Sequence, residues 1–455
     1  MKRGFLAKQK RKPVNAQIPI EEQLAKLVLS NTVEPMNKSA SSEKIIDPHK
    51  SKSTAQSSAF SNLSGCLLYV NFRAKEPLPV KLPIGDVDKS LPENYKTGKP
   101  LWTEVPAETT DTREGICATT VPPQRNGETL ADNPDNWSEC IFLSRRLKYK
   151  IISTPGFPAP VPRPPNVRHR LGPSAFGTGM FATCDIKMGE LVMSERPLLV
   201  TSGGIPSLYT PPPGDPKPTA AQIIQATIQE YERLLEYSVS RMLPENRAAF
   251  FKLHNAHTKD GSGPILGRIR TNAIGITIDT YEQKDLGSVR YGAVFNEISY
   301  INHSCVPNVS PKFSALSFSS RVRAIRDIKQ GEEILISYCK PEVSTAERQA
   351  ELKPYDFQCT CHSCSDPSSD AVLWKILTSP LAVERLDCKH RLMCAESWIA
   401  EIERKGWYHL EVYGTHLSIA AMCAKVLKKF DVYHKYENIY EAWTEGMYGE
   451  SRRIL

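Results

Sequence analysis

No stretch of the 455-residue sequence is apolar over the roughly 18 residues that a membrane-spanning helix needs, so no membrane span is expected. Behind the basic opening Met1-Lys2-Arg3 there is no apolar run of the kind that marks a secretory signal. Cysteine is too thinly spread for a disulfide scaffold, with 12 in the whole chain, and the secreted and collagen-like classes are set aside. Neither sign of charge dominates: 58 Lys and Arg stand against 50 Asp and Glu, a net of +8 that does not by itself imply nucleic acid. Acidic residues are absent from the start, where Lys2, Arg3, Lys8, Lys10, Arg11 and Lys12 precede the first carboxylate at Glu21. That run reads as a nuclear address or an anion-binding arm, with a solvated tail as the bland alternative. An intracellular chain, nuclear or cytoplasmic or both, is the expectation.

What is present points to a globular core with irregular flanks. Hydrophobic residues make up 40% and charged residues 24%, ordinary for a folded domain. Proline, at 35 residues, stands at about 8% against a usual ~5%. Residues 1–60, rich in Ser, Lys, Asn and Pro, read as disordered apart from a short helix at 20–29. A strand at 66–72 is followed by Pro77, Pro79, Pro83, Pro92 and Pro100, so 1–145 is expected to be largely disordered or weakly structured. Order is expected from Arg146, with an alternating strand over 147–152 and a proline-rich loop over 154–165. Strands follow at 176–182 and 189–194, then a second loop at 206–218. Ile224, Ile228, Tyr231 and Leu235 predict an amphipathic helix over 220–242, and Pro244 opens another that runs to 253. Strand-like runs return at 271–278, 289–301, 321–328 and 333–338, the last two divided by the turn Lys329-Gln330-Gly331. Beyond Cys364 the pattern is helical: from Ser379-Pro380 to Gly406, over 410–430 and over 433–443.

Two local features carry chemistry. Gly177-Thr178-Gly179 lets backbone approach a ligand, though taken alone it is an ordinary strand turn, and no dinucleotide pattern surrounds it. Cys359, Cys361 and Cys364 place three thiols within six residues, the density of a zinc site rather than of unmetallated core thiols. A fourth ligand must come from elsewhere; His362 and Cys339 are near in sequence, and Cys305 is distant.

Asn302-His303-Ser304-Cys305-Val306-Pro307-Asn308, then Gly331 to Tyr338, then the cysteines, resembles the SET-domain lysine methyltransferases. Gly177 to Ala182 with Glu195-Arg196-Pro197 resembles that family's opening motif. Thr345 to Leu352 leading into Tyr355-Asp356-Phe357-Gln358-Cys359 looks like the post-SET segment of the SET–MYND class. The resemblance implies S-adenosylmethionine held by Gly177, Gly179, Met180, Asn272, Asn302, His303 and Phe357, with Phe357 stacking on adenine. It implies Tyr338 as the active-site tyrosine, Ser299 and Tyr355 as lining of the substrate channel, and a structural zinc on Cys305, Cys359, Cys361 and Cys364. Two departures stand out. No cysteine lies between Glu195 and Tyr300, so there is no MYND finger, and residues 155–165 insert proline before the glycine turn, where they would displace the first cofactor wall.

The expected fold is α+β: a SET β-fold over 146–340 with a helical insert at about 206–270, a zinc-bound post-SET segment over 341–366, and an all-helical C-terminal region over 367–455. The expected activity is S-adenosylmethionine-dependent methylation of lysine side chains in proteins, histone or non-histone. The partner is a protein substrate bearing the target lysine, with association to chromatin and none to membranes. The alternative is a catalytically silent SET-fold scaffold that binds proteins.

Overall fold

The computed structural model describes residues 101–106, 114–124, 127–206, 208, 220–258, 262–278, 290–383 and 386–454. The expectations for residues 1–60 and for a strand at 66–72 lie outside them, as does most of the loop at 206–218.

The chain opens with strands β1 (Trp102–Glu104), β2 (Glu114–Val121) and β3 (Ser138–Ser144), then helix α1 (Arg145–Ile152). Strands β4 (His169–Ser174), β5 (Gly177–Ala182), β6 (Leu191–Glu195) and β7 (Leu199–Ser202) follow. The insert holds helices α2 (Ala220–Ser240), α3 (Pro244–Lys252) and α4 (Pro264–Asn272). Next come β8 (Ile274–Thr277), β9 (Arg290–Val294), β10 (Asn302–His303), β11 (Val309–Ser314), β12 (Ser319–Ala324) and β13 (Glu333–Ile336). The tail contains α5 (Thr345–Leu352), α6 (Ser369–Val383), α7 (Cys388–Lys405), α8 (Glu411–Val426) and α9 (Phe430–Tyr448). The strands form three sheets, ordered β1-β2-β3-β7-β9-β8, β10-β13-β5-β4 and β11-β12-β6.

Four local expectations change. First, β2 and β3 fall within the stretch expected to be weakly structured. Their residues are buried on both faces: Cys117, Cys140 and Phe142 pack into the core with Met180, Val192 and Ile334 of the later strands, while Ala118 and Ile141 pack under the insert helices. A strand covered on both sides loses the alternation by which strands are usually read.

Second, residues 147–152 are helical, not a strand. The Ser144 hydroxyl caps α1 by accepting from the Arg146 N–H at 3.1 Å, and Leu147 and Ile151, one turn apart, are buried together. Over six residues, positions i and i+4 satisfy both a period of 2 and a period of 3.6.

Third, Thr271 and Asn272 close α4 instead of starting a strand. The helix begins at Pro264, where the N–H groups of Ile265 and Leu266 donate to the Glu232 carboxylate at 2.9 and 3.1 Å.

Fourth, Pro380 sits inside α6 instead of opening a helix. Having no N–H, it leaves the Ile376 carbonyl without its helical donor. The Ser379 hydroxyl fills that vacancy at 2.6 Å. With its one hydrogen spent, Ser379 Oγ accepts from His416 Nε2, also at 2.6 Å.

The proline-rich insertion is tied down away from the glycine turn. Buried Arg196 donates to three carbonyls from separate segments: Ser317 and Asn136 at 3.0 Å and Ala159 at 3.4 Å. The Ala159 N–H bonds the Leu316 carbonyl and the Val161 N–H bonds Asp135. The β4–β5 hairpin keeps full antiparallel register from His169–Ala182 to Ser174–Gly177, so the proline-rich stretch before it leaves the glycine turn regular.

The tail seats on the strands through glycine. A Cβ on Gly446 of α9 would lie 2.4 Å from the Ala324 carbonyl oxygen, and one on Gly189 would lie 2.8 Å from the Ala442 oxygen. Arg323 and Glu445 pair beside this contact at 2.8 Å. Val306, next to Cys305, is part of the tail's own core with Trp407, Leu410 and Leu417.

Candidate functional site

The β4–β5 hairpin turns at Gly177, whose φ of +98° suits only glycine. Gly179 faces β13 and β10 so closely that a Cβ would lie 2.3 Å from Glu333 Oε1 and 2.8 Å from Asn302 Nδ2. Asn302 Nδ2 donates to Glu333 Oε1 at 2.8 Å, which locks hairpin and β10 together. The Met180 side chain is fully buried in the strand core, paired with Ile334 across β13. Met180 thus sits between the glycine turn and the strand core, beside Gly179 on β5.

β10 runs parallel to β13, pairing Asn302 with Leu335 and His303 with Ile336. This brings His303 beneath Tyr338. The Tyr338 N–H donates to His303 Nδ1 at 2.9 Å, so the ring proton sits on Nε2, which lies 3.3 Å from Cys305 Sγ. His303 therefore links the tyrosine's backbone to the cysteines and does more than brace its own loop. The Tyr338 hydroxyl donates to the Ile301 carbonyl at 2.7 Å.

A small cavity gathers Asn272, Ser299, Ile301, Ile336, Tyr338 and Tyr355. Asn272 Nδ2 is spent on the His254 and Arg268 carbonyls at 2.7 and 2.8 Å. The Ser299 hydroxyl accepts from the Phe295 N–H at 2.9 Å and donates to the Asn272 carbonyl at 3.2 Å, so it ties the end of α4 to the loop before β10. Glu195 anchors that loop by accepting from the N–H groups of Asn296 at 2.6 Å and Glu297 at 3.1 Å.

Aromatic rings extend from the cavity. Tyr338 lies 5.0 Å from Tyr355 and 5.3 Å from His303, and Phe357 lies 5.9 Å from His303. Phe176, half exposed at the hairpin tip, reaches Phe357 at 5.1 Å. Sequence reasoning missed Phe176; its place directly before Gly177 was the signal.

The sulfurs of Cys305, Cys359, Cys361 and Cys364 lie within 4.8 Å of one another. Cys305 is 3.5 Å from Cys364 and 3.9 Å from Cys359, close to the edge of about 3.8 Å that a tetrahedron of 2.3 Å zinc–sulfur bonds requires. Gln349 fixes Cys359 by donating to its carbonyl at 2.8 Å and accepting from its N–H at 3.1 Å. His362 turns away, with Nε2 bonding the Lys405 carbonyl at 2.7 Å. Cys339 stays adjacent, grouped with His303 and Cys305. Contacts among the thiols push Cys305 up, Cys339 foremost, and push Cys361 down, Cys305 foremost. All-sulfur donors at this spacing fit a soft, tetrahedral cation.

Residues 177–339 match the SET domain family. The chain is 34% identical over 190 residues to the histone-lysine N-methyltransferase set5 of Schizosaccharomyces pombe, covering 42% of this chain and 47% of that protein. It is 26% identical over 222 residues to the N-lysine methyltransferase SMYD2-A of Xenopus laevis, covering 47% of this chain and 49% of the relative. With the SMYD2 of Homo sapiens it shares 30% over 164 residues, 34% of this chain and 36% of that one. The chain thus spans about half the length, or less, of these curated relatives. The hairpin, the β10–β13 pairing and Tyr338 all lie within or against the segment that matches the SET domain family, and the chain is similar in sequence to parts of the set5 and SMYD2 lysine methyltransferases.

Proposed function

We propose that the chain is a protein-lysine N-methyltransferase that uses S-adenosylmethionine. The observation that carries this reading is the Tyr338 hydroxyl, held 2.7 Å from the Ile301 carbonyl at a cavity that also gathers Asn272, Ser299 and Tyr355. Gly177, Gly179, Asn302, His303, Asn272 and Phe357 are the residues that would hold the cofactor, with Phe176 beside Phe357. When bound, S-adenosylmethionine supplies an electrophilic methyl group.

The chain's own task is to present a neutral amine in one orientation. A free lysine amine has a pKa near 10.4. The apolar walls of Ile301, Ile336 and the tyrosine rings would disfavour its charged form by desolvation. Tyr338 Oη and the Ile301 carbonyl fix polar groups at the channel floor, so orientation does most of the work. His303 and Ser299 hold that floor from behind and contact no reacting atom.

Zinc on Cys305, Cys359, Cys361 and Cys364 is the second part of the proposal. It would be structural, with no open position, and would fix the segment that carries Phe357. A relative named for histone lysine supports a histone or other chromatin protein as substrate, and the basic run at Lys2 to Lys12 supports nuclear residence. Among the described residues no helix is long and apolar enough to cross a membrane.

The test is methyl transfer from radiolabelled S-adenosylmethionine to a protein and peptide array, comparing the native chain with Tyr338→Phe. Loss of the hydroxyl should lower turnover by about 10²-fold or more while cofactor affinity by calorimetry changes little. Tight cofactor binding without transfer across the array would instead favour the silent scaffold.

A further inference from the structure

The zinc reading leaves a buried cation to explain. Arg348 on α5 has a side chain only 1% exposed. A guanidinium cannot shed its charge by losing a proton, so burial calls for a compensating charge nearby. The carboxylate within reach is Asp370, 3.7 Å away and 42% exposed. Its oxygens already accept from the Thr345 N–H at 2.9 and 3.0 Å, and Oδ1 also accepts from the Thr345 hydroxyl at 2.8 Å. The other acceptors of Arg348 are neutral: the Val343 carbonyl at 2.5 Å and Thr345 Oγ1 at 2.8 Å. Its Nε, buried, has no hydrogen-bond acceptor among the described residues.

The remaining neighbour is sulfur. Arg348 Nη2 lies 4.0 Å from Cys364 Sγ, the outer range of an N–H···S contact. A capping box of Ser344 and Glu347 sets where α5 begins. Leu352, one turn beyond Arg348, is fully buried against Cys305, Cys339 and Cys359. α5 thus sets an apolar side chain in the cluster of Cys305 and Cys359 and a cation beside Cys364.

Resting on the zinc reading above, we propose that Arg348 is a positioning residue for the metal centre: its guanidinium offsets the charge of −2 that four thiolates leave on a divalent zinc, and it orients Cys364. It touches no substrate and no cofactor. Outer partners of metal ligands typically account for about 10–100-fold in metal affinity, and that is the effect expected here.

The experiment uses the full chain. Zinc content is measured by elemental analysis, and zinc affinity by competition with a chromophoric chelator, for the native protein, Arg348→Met, Arg348→Lys and Asp370→Asn. Circular dichroism verifies folding of each, and cobalt substitution reports the thiolate-to-metal absorption bands. Arg348→Met should bind zinc about 10–100-fold more weakly with shifted cobalt bands. Arg348→Lys, which keeps the charge, should recover most of the loss, and Asp370→Asn should leave affinity unchanged. If Arg348→Met does not fold, the native, Arg348→Lys and Arg348→Gln proteins decide by the same ranking. Native affinity in the neutral variant, a lysine variant no better than the neutral one, or an equal loss in Asp370→Asn would each overturn the proposal. Absence of zinc from the native chain overturns the zinc reading itself, a different failure from zinc that is present but indifferent to Arg348.

Discussion

The helical insert, α2 to α4, and the helical tail, α6 to α9, join the strands by different means. The insert lays an apolar face, with Ile228, Leu234 and Leu266, on Ala118, Ile141 and Val294, and adds charged side chains to it. Glu232 on α2 caps α4, while Arg241, just after α2, bridges Glu139 and Glu104 on the six-stranded sheet. The tail is anchored by backbone contact at Gly446 and Gly189, by its apolar core, and by the cysteine knuckle at Val306 and Gly406. A region joined through side chains should tolerate small steric changes. A contact-anchored one should answer to metal loss and to single methyl groups.

Zinc removal is expected to have the largest effect. Chelation, or Cys305→Ser, should free the knuckle, weaken cofactor binding and loosen the tail where Val306 enters it. Hydrogen exchange read by mass spectrometry should then show faster exchange in α7 and α8 and little change in α2 to α4. Equal loosening of both regions would erase the contrast.

Next comes a matched pair of glycine substitutions. Gly446→Ala drives a methyl into the Ala324 carbonyl and should cost about 1–3 kcal/mol. Gly267→Ala in α4 crowds the Asn255 side chain, whose Oδ1 accepts from the His257 N–H at 2.9 Å, but it meets no backbone, and alanine favours the helix by up to about 1 kcal/mol, so its net cost should be smaller than that of Gly446→Ala. Chemical denaturation of the two variants measures the difference.

His416 gives a third measurement, with opposite expectations for the two regions. Burial pushes its pKa down to about 4, against ~6.5 in the unfolded chain. Between these values the unfolded chain binds more protons, so this contribution is complete above about pH 6.5 and is lost as pH falls toward 4, worth up to about 3 kcal/mol. His416→Gln should flatten that acid-side decline in thermal melts.

Glu232 runs the other way, with a shift of similar size. Burial raises it to about 7 despite two N–H donors. The folded state then holds its proton more tightly than the unfolded one. Stability from this group is complete below about pH 4.5 and declines as pH rises toward 7. Glu232→Gln should remove that decline in melts followed across the same range, which separates it from the His416 slope.

The site was legible where chemistry is local in sequence. The three crowded thiols, the glycine turn and the Asn302 to Asn308 segment could be read because ligands and close backbone approaches demand particular residue types at short spacing. Choosing Cys305 over His362 needed the family resemblance; spacing alone left both open, and the His362 bond to the Lys405 carbonyl shows why the histidine is occupied elsewhere. Elements that depend on distant cover were harder. β2 and β3 are strands because helices some hundred residues on cover their second face, and Pro380 is tolerated within α6 because Ser379 replaces the missing donor.

Val306 has a consequence for how the molecule melts. Its backbone belongs to the segment that carries Asn302 and Cys305, yet its side chain is counted in the tail's core beside Trp407 and Leu410. A border drawn at residue 366 would therefore cut through packed interior rather than through a linker. The strands around Val306 and the tail should unfold as one cooperative block, with a single calorimetric transition, and a chain ending at 366 should leave Val306 in water and lose the sharpness of that transition.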